Sequence, residues 1–334
     1  MNTKIGEPLY TTSHGAAYLG DALDNLQCLE DASVDLVMTS PPFALQREKS
    51  YGNVDQGAYV EWLLAFCRQV HRVLRPSGSF VLDLGGAYQK GRPIRSLYNY
   101  RLLIKLCDDL DFRLAEEFFW HNPAKLPSPI EWVNKRKLRA KDSVDTVWWL
   151  SKEDNPKADV RRVLVPYSDR MKKLQSDPEN YYTPKLRPSG HDIGKSFASD
   201  NGGAIPSNLL QIANTESNSQ YIQYCRAVQA PVHPARFPQK LPAFFIDFLT
   251  EPGDLVLDIF AGSNTTGAAA EVAKRRWMAF EHSHPFLAAS AFRFAPSDLP
   301  VEILRPLYDA LMLSGTALHF PGSAALNVGL FAEG

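Results

Sequence analysis

Apolar positions along this 334-residue chain alternate between dense short runs and helical stripes. Val34-Asp35-Leu36-Val37-Met38-Thr39 and Ser79-Phe80-Val81-Leu82-Asp83-Leu84 are compact apolar runs, which predicts buried strands. The first stops at Pro41-Pro42 and the second runs into Gly85-Gly86. Between them Val60, Leu63, Leu64, Cys67, Val70 and Leu74 recur at helical spacing, predicting an amphipathic helix over Ala58–Leu74 that Pro76-Ser77-Gly78 ends. A stripe of Leu102, Leu103, Leu106 and Leu110 predicts a second helix, followed by strands over Leu114–Trp120 and Thr146–Leu150. Trp148-Trp149 in the last of these reads as core in preference to pocket lining. Tyr18-Leu19-Gly20 is a shorter apolar run near the start.

From Ser151 to Ala230 the rhythm gives way to Pro, Asn, Ser, Gly, Tyr and basic residues, which predicts an irregular insertion outside the sheet. The alternation then returns. Pro242 opens a helix through Phe244, Phe245, Phe248 and Leu249, Asp254–Phe260 is a strand, Gly267–Ala273 a helix and Trp277–Phe280 a strand. Alternating strands and helices predict an α/β fold with a mostly parallel sheet covered on both faces.

About 45% of the residues are apolar, enough for a large core without disulfides or metals. No apolar run approaches the roughly 20 residues of a membrane span, and Met1–Pro8 lacks the apolar stretch of a signal peptide, so a cytoplasmic location is expected. Cys28, Cys67, Cys107 and Cys225 are widely spaced with no C-x-x-C, which argues against a zinc module or disulfide framework. The net charge is -1, yet His121–Lys195 holds 16 Lys and Arg against 10 Asp and Glu. That segment has the charge balance to face a polyanion, or is simply a solvated face.

Two segments carry chemistry. Asp258-Ile259-Phe260-Ala261-Gly262-Ser263-Asn264-Thr265-Thr266 follows a buried strand and precedes the small-residue helix Gly267-Ala268-Ala269-Ala270. Ligands of open α/β sheets bind at such strand ends. Gly262 permits close approach of a nucleoside, and the next strand ends in Glu281, an acid placed to take ribose hydroxyls. One glycine where the dinucleotide fingerprint needs three, and no G-K-[ST], disfavour NAD and ATP; an ordinary strand–helix turn is the plain alternative. The second segment is Thr39-Ser40-Pro41-Pro42-Phe43. Two prolines remove N–H donors and turn carbonyls outward, Ser40 offers a hydroxyl and Phe43 a stacking face. This set suits a planar ring bearing an exocyclic amine; taken alone it also fits a proline-rich turn.

Together the two segments resemble the amino-group DNA methyltransferases, whose catalytic motif is [DNS]-P-P-[YFW] and whose cofactor loop is D-x-F-x-G-[ST]-x-[TS]-x. Catalytic motif before cofactor loop is the order of the family's beta group. His233-Pro234-Ala235-Arg236-Phe237-Pro238-Gln239-Lys240-Leu241-Pro242 and Gly20-Asp21 resemble two further family blocks, near the cofactor. Val37–Gln46, Ser128–Lys137, Arg187–Phe197 and Ala291-Phe292-Arg293-Phe294 resemble cytosine-N4 enzymes that protect CAGCTG sites in restriction–modification systems. The resemblance covers roughly residues 9–294. It implies an S-adenosylmethionine-dependent methyltransferase fold, a Rossmann-like twisted seven-stranded sheet in permuted order. The expected divisions are a catalytic half over 9–150, a target-recognition region over 151–230, a cofactor half over 231–294 and a tail over 295–334 outside the functional fold.

The resemblance implies methylation at N4 of a cytosine flipped out of double-stranded DNA, expected in CAGCTG, with adenine N6 as the chemical rival and an idle nucleic-acid-binding module as the other. C5 methylation needs a Pro-Cys nucleophile, and no cysteine here follows a proline. The expected catalytic residues are Ser40, Pro41, Pro42, Phe43 and Asp83, the last polarising Ser40 or taking the released proton, with a turn or cap carboxylate as its alternative. Asp21, Asp258, Phe260, Gly262, Ser263, Thr265, Glu281, His233 and Pro234 are expected at the cofactor, with no metal. Lys135, Arg136, Lys137, Arg139, Lys141, Lys172 and Lys173 are expected on phosphates, and Arg161, Arg162, Arg170, Lys185, Arg187, His191 and Lys195 in the recognition insertion. His191 has two readings, base contact and solvated loop histidine. Expected besides are a monomer or weak dimer, no membrane partner, and a cognate endonuclease that shares the site without needing to bind.

Overall fold

The structure, a computed structural model, describes residues 5–44, 57–178, 198–313 and 317–320. They form two compact units, one of Met1–Lys157 with Asn208–Gly334 and one of Ala158–Ser207. In the larger unit the strands are β1 (Tyr10–Thr12), β2 (Gly15–Leu19), β3 (Val34–Thr39), β4 (Leu74–Leu84), β5 (Arg113–His121), β6 (Val144–Ser151), β7 (Leu209–Gln211), β8 (Leu255–Asp258), β9 (Arg276–Glu281) and β10 (Leu318–Phe320). They make one sheet in the order β10-β1-β2-β9-β8-β3-β4-β6-β5-β7. The inner seven, β2 to β5 in that order, correspond to the expected sheet; three-residue strands extend both edges. The strand predicted at Thr146–Leu150 is not parallel to its neighbours: β6 runs antiparallel to both β4 and β5.

The helices of this unit are α1 (Ala22–Gln27), α2 (Tyr59–Val73) and α3 (Tyr98–Asp108), and, after α4 (Asp169–Ser176) of the smaller unit, α5 (Gln220–Ala227), α6 (Lys240–Leu249), α7 (Thr265–Val272), α8 (His284–Ser290) and α9 (Val301–Met312). Alternate residues of the central strands feed two cores. Leu36, Met38, Val81 and Val256 pack with α5 to α9, while Val34, Val37, Phe80, Leu82 and Leu257 pack with α1 to α3. A strand buried on both faces has no polar alternation, which is why these runs read as continuously apolar. Trp148 is a core residue and Trp149 is half-buried against the other core.

Three expectations change. Pro76-Ser77-Gly78 does not separate helix from strand: α2 passes directly into β4, Leu74 pairs with Val34, and pairing resumes at Ser79 opposite Leu36. The four intervening residues bulge opposite Asp35, and Arg75 Nε lies 3.2 Å from its carboxylate. Residues 151–230 are not wholly outside the sheet, because β7 pairs with β5 and α5 buries Tyr221, Ile222, Tyr224 and Cys225 in the core. The tail from residue 295 is part of the fold where it is described. α9 buries Leu304, Leu307, Tyr308 and Leu311, and β10 pairs with β1.

The smaller unit, Ala158–Ser207, holds α4 (Asp169–Ser176), whose first turn is capped by Ser168 Oγ accepting from the Met171 N–H at 3.2 Å. A bridge between Val165 and Ala204 draws its ends together. Lys185, Arg187, His191 and Lys195 lie outside the described residues.

Candidate active site

β3 and β8 are parallel neighbours at the middle of the sheet; β8 leads to β9 on one side and β3 to β4 on the other. Their carboxyl ends therefore form a topological switch point, the crevice in which open α/β sheets place ligands. The loop after β3 is Ser40–Phe43 and the loop after β8 is Ile259–Asn264. A cavity of about 810 Å³ opens there, lined among others by Ser40, Pro41, Pro42, Phe43, Asp83, Phe260, Gly262, Ser263, Thr265, Glu281, His233 and Pro234. Twelve of the sequence-predicted site residues thus share one concavity, within the 300–1,000 Å³ or so usual for ligand pockets.

On the catalytic side the Ser40 hydroxyl faces the Asp83 carboxylate and lowers its proton affinity. Asp83 is buried at the end of β4, and its Oδ1 has no hydrogen-bond partner among the described residues. An orphaned buried acceptor on a cavity wall marks a place for a ligand donor. Tyr59 Oη donates to the Pro42 carbonyl at 2.8 Å, which pins the loop and engages one of the two proline carbonyls expected to face a target amine. Gly85 is required here. A methyl group on it would overlap both the Phe43 ring and the Asp145 carboxylate.

Asp145 was not singled out by the sequence. It lines the same cavity at the start of β6, and Lys125 Nζ lies 3.4 Å from its Oδ2. Burial pushes the Asp83 carboxyl well above the ordinary range, and the Asp145 charge pushes it further. Burial also raises Asp145, against the opposing pull of Lys125. Asp142, on the same cavity wall, is held by Arg95 in a two-pronged pair at 2.8 and 2.9 Å.

The cofactor side is built around Gly262, whose φ of 53° favours glycine and whose missing side chain admits the His233 ring. The Gly262 N–H donates to Glu281 Oε2 at 2.9 Å, and the Ser283 N–H to Oε1 at 2.8 Å. Each carboxylate oxygen accepts more than one hydrogen bond, so Glu281 retains capacity for ribose hydroxyls. His233 is itself held, with Nδ1 2.6 Å from the Ala235 carbonyl and its ring edge-on to Phe286. Arg293, another residue without an assigned role in the sequence, donates to Ser263 O at 2.6 Å and lies over the Tyr221 ring. α7 begins at Thr265, earlier than the predicted Gly267, because Asn264 in the left-handed region caps it through the Gly267 N–H.

Asp21 and Asp258, both expected at the cofactor, do not line the cavity. Asp21 caps α1, accepting from the Leu23 N–H at 2.8 Å. Asp258 is buried beneath the loop and accepts from Thr39 Oγ1 at 2.7 Å, Thr266 Oγ1 at 2.7 Å and Phe260 N at 3.1 Å. Of the expected phosphate contacts, Lys135 pairs with Glu131 at 3.4 Å and Arg136 lies over Trp132, a cavity residue. Lys137 occupies a left-handed position. Arg139 and Lys141 clasp backbone carbonyls, those of Pro93 and Leu138 and those of Pro123 and Lys125. Lys172 and Lys173 stand exposed on α4 of the smaller unit.

The profile of a DNA methylase family that comprises N6 and N4 enzymes matches residues 34–292. The chain belongs to this family of DNA methylases. The type II methyltransferase M.PvuII of Proteus hauseri is 59% identical over 312 residues, 93% of each chain. A solved structure of the PvuII DNA methyltransferase (cytosine-N4-specific) superimposes with a TM-score of 0.78 and 48% identity, covering 95% of this methylase and 99% of that chain. A putative DNA modification methylase of Thermus thermophilus, solved with S-adenosyl-L-methionine, shares the fold at 18% identity and a TM-score of 0.52, covering 95% of this chain and 100% of that one.

The methylase uses S-adenosylmethionine, and the cavity suits it: an aromatic ring at Phe260, close backbone at Gly262, hydroxyls at Ser263 and Thr265, an acid at Glu281, and carboxylates beyond. If the two walls act separately, Gly262→Ala should weaken cofactor binding by at least about tenfold, since it forces a strained φ and displaces His233. Gly85→Ala should leave that affinity within about twofold but slow methyl transfer, because it displaces Phe43 from the target side. Calorimetric titration with S-adenosylmethionine and a single-turnover transfer assay check both; equal effects of both variants on cofactor binding would contradict the division.

Proposed function

We propose that the protein is the modification methyltransferase of a restriction–modification system, methylating N4 of the inner cytosine of CAGCTG in duplex DNA. The observation that carries this reading is Ser40 set with buried Asp83 on the wall of one cavity that the Gly262 loop also lines. Identity of 59% along nearly the whole of a type II enzyme, together with the likeness to the solved cytosine-N4-specific PvuII methyltransferase, supports the choice of atom. The cognate endonuclease shares the site and need not bind.

The chemistry follows from the target amine. Its lone pair is delocalised into the ring, so it attacks poorly until its N–H groups are engaged by acceptors. S-adenosylmethionine supplies an electrophilic methyl group. Phe43 stacks on the extruded ring, Ser40 and one adjoining carbonyl accept from the amine's two N–H groups, and the lone pair is left free for the methyl carbon. As the N–C bond forms and the methyl–sulfur bond breaks, its electron pair going to sulfur, one N4 proton leaves, by way of Ser40, for the Asp83 carboxylate. A buried carboxyl with raised proton affinity is a better base than an exposed one, provided it is ionised before transfer. Target extrusion costs a few kcal/mol, which contacts elsewhere must offset.

Sequence readout belongs in this reading to the Ala158–Ser207 unit, with Arg187 and His191 on base edges and Lys172 and Lys173 on phosphates. Lys135, Arg136 and Lys137 are proposed to track the backbone from the β5–β6 connection.

Two outcomes test the reading. DNA methylated with labelled cofactor and digested to nucleosides should carry the label in N4-methylcytosine, mapped to CAGCTG; label in N6-methyladenine would overturn the choice of base. The single-turnover rate should rise with pH along an acid limb above the ordinary carboxylate range, because Asp83 must lose its proton and its pKa is raised. Asp145→Asn removes a neighbouring negative charge and should move that limb to lower pH. A limb unmoved by this change would show that Asp83 is not the titrating base.

A further inference from the structure

We propose that Leu126 is a wedge, entering the base stack of duplex DNA to occupy the gap left by the extruded target. It acts as a positioning residue for the methyl transfer, and this rests on the DNA reading above. Leu126 is 81% exposed, the largest value among the exposed large apolar side chains of the described residues. It belongs to the connection between β5 and β6, and that connection forms a wall of the cavity through Lys125, Ser128, Pro129, Glu131 and Trp132. Lys125, directly before it, reaches inward to Asp145, whose charge acts on Asp83. The chain thus carries one side chain into the catalytic cavity and holds the next out in water beside it.

The loop that presents Leu126 is braced on both flanks. Lys141 Nζ donates to the carbonyls of Pro123 and Lys125 at 3.2 Å each. Asn122 Oδ1 accepts from the N–H groups of Ala124 and Asn214, both at 3.1 Å, and the Asp142 N–H donates to the Ser128 carbonyl at 2.9 Å. A leucine tied in this way cannot fold back onto the core, and its exposure costs hydration free energy with no return in packing. Ile130, 61% exposed and four residues on, adds a second apolar side chain to the same connection. Val272, Leu313 and Ile205 are similarly exposed, but none of them is among or beside the cavity-lining residues of this wall.

The surrounding chemistry fits a nucleic-acid stack. Leucine and isoleucine are among the side chains that wedge between base steps, stabilised by leaving water and by contact with the unstacked faces. Lys135, Arg136 and Lys137 along the same connection supply positive charge for the flanking phosphates. An extruded base returns to its partner unless the vacancy is filled, and a wedge beside the catalytic cavity fills it where extrusion happens.

The test compares two synthetic duplexes holding the methylation site, one fully paired and one with an abasic position opposite the target. Leu126→Ala should slow single-turnover methylation of the paired duplex by about tenfold or more, since it removes part of what offsets extrusion. On the abasic-opposed duplex, where pairing no longer resists extrusion, the variant should match the wild type. Leu126→Met, which restores apolar volume, should match the wild type on both, and all three proteins should bind S-adenosylmethionine equally. An equal loss on both duplexes, or no loss on the paired one, overturns the wedge. A wild-type protein inactive on paired DNA overturns the DNA reading itself and the wedge with it, an outcome distinct from the other two.

Discussion

Asp258 lies buried at the carboxyl end of β8, and its two oxygens take hydrogen bonds from three groups on three different segments. Thr39 ends β3 immediately before Ser40, Phe260 belongs to the cofactor loop, and Thr266 sits in the first turn of α7. Burial pushes the Asp258 carboxyl up to about 6, and the three donors hold it down. In its ionised form it makes charge-assisted bonds in a region from which water is excluded, where such bonds are strong. The side chain touches no cavity space, yet it joins the wall that is to receive the methyl donor to the wall that is to receive the base.

Such a junction is possible only because of the strand order. Thr39 and Asp258 are 219 positions apart in the chain but terminate adjacent parallel strands. The catalytic segment precedes the cofactor segment, and this order has no effect on their geometry. What matters is that β8 leads to β9 on one side of the switch point and β3 to β4 on the other, leaving both loops facing one crevice. Arg293 and Glu281 then fix the cofactor loop from behind, while Tyr59 and Gly85 fix the catalytic loop. Rigidity in the supporting residues keeps donor and acceptor atoms within reach of each other.

Much of this was legible in the sequence, for identifiable reasons. Strands buried on both faces announce themselves as unbroken apolar runs, and α2 by its stripe from Val60 to Val70. The residues of Ser40–Phe43 and Phe260–Thr265 were visible because short motifs at strand ends carry their chemistry locally. Residues that depend on pairing between distant strands were hidden. Asp145 reaches the site only through the antiparallel register of β6 on β4, and nothing near Asp145 in sequence signals Asp83. Arg293 lies in a segment that carries the family resemblance, but its contact with Ser263 joins residues 30 positions apart. The polar composition of 151–230 concealed β7, since three residues at a sheet edge with one buried side chain make no pattern. Asp258 is expected at the cofactor from its motif, whereas its oxygens take the Thr39 and Thr266 hydroxyls and the Phe260 N–H, a pairing that only packing reveals.

The dependence of the two walls on the Asp258 junction is tested most directly by calorimetric titration of S-adenosylmethionine into Thr39→Val. Thr39 ends the catalytic strand and does not line the cavity, and valine keeps its shape while removing the donor to Asp258. Cofactor affinity should fall by about tenfold, the effect of losing a hydrogen bond to a buried charge of roughly 1.5–3 kcal/mol. Unchanged affinity in a folded Thr39→Val protein would contradict this dependence, and would mean that each wall holds its own geometry without the carboxylate between them.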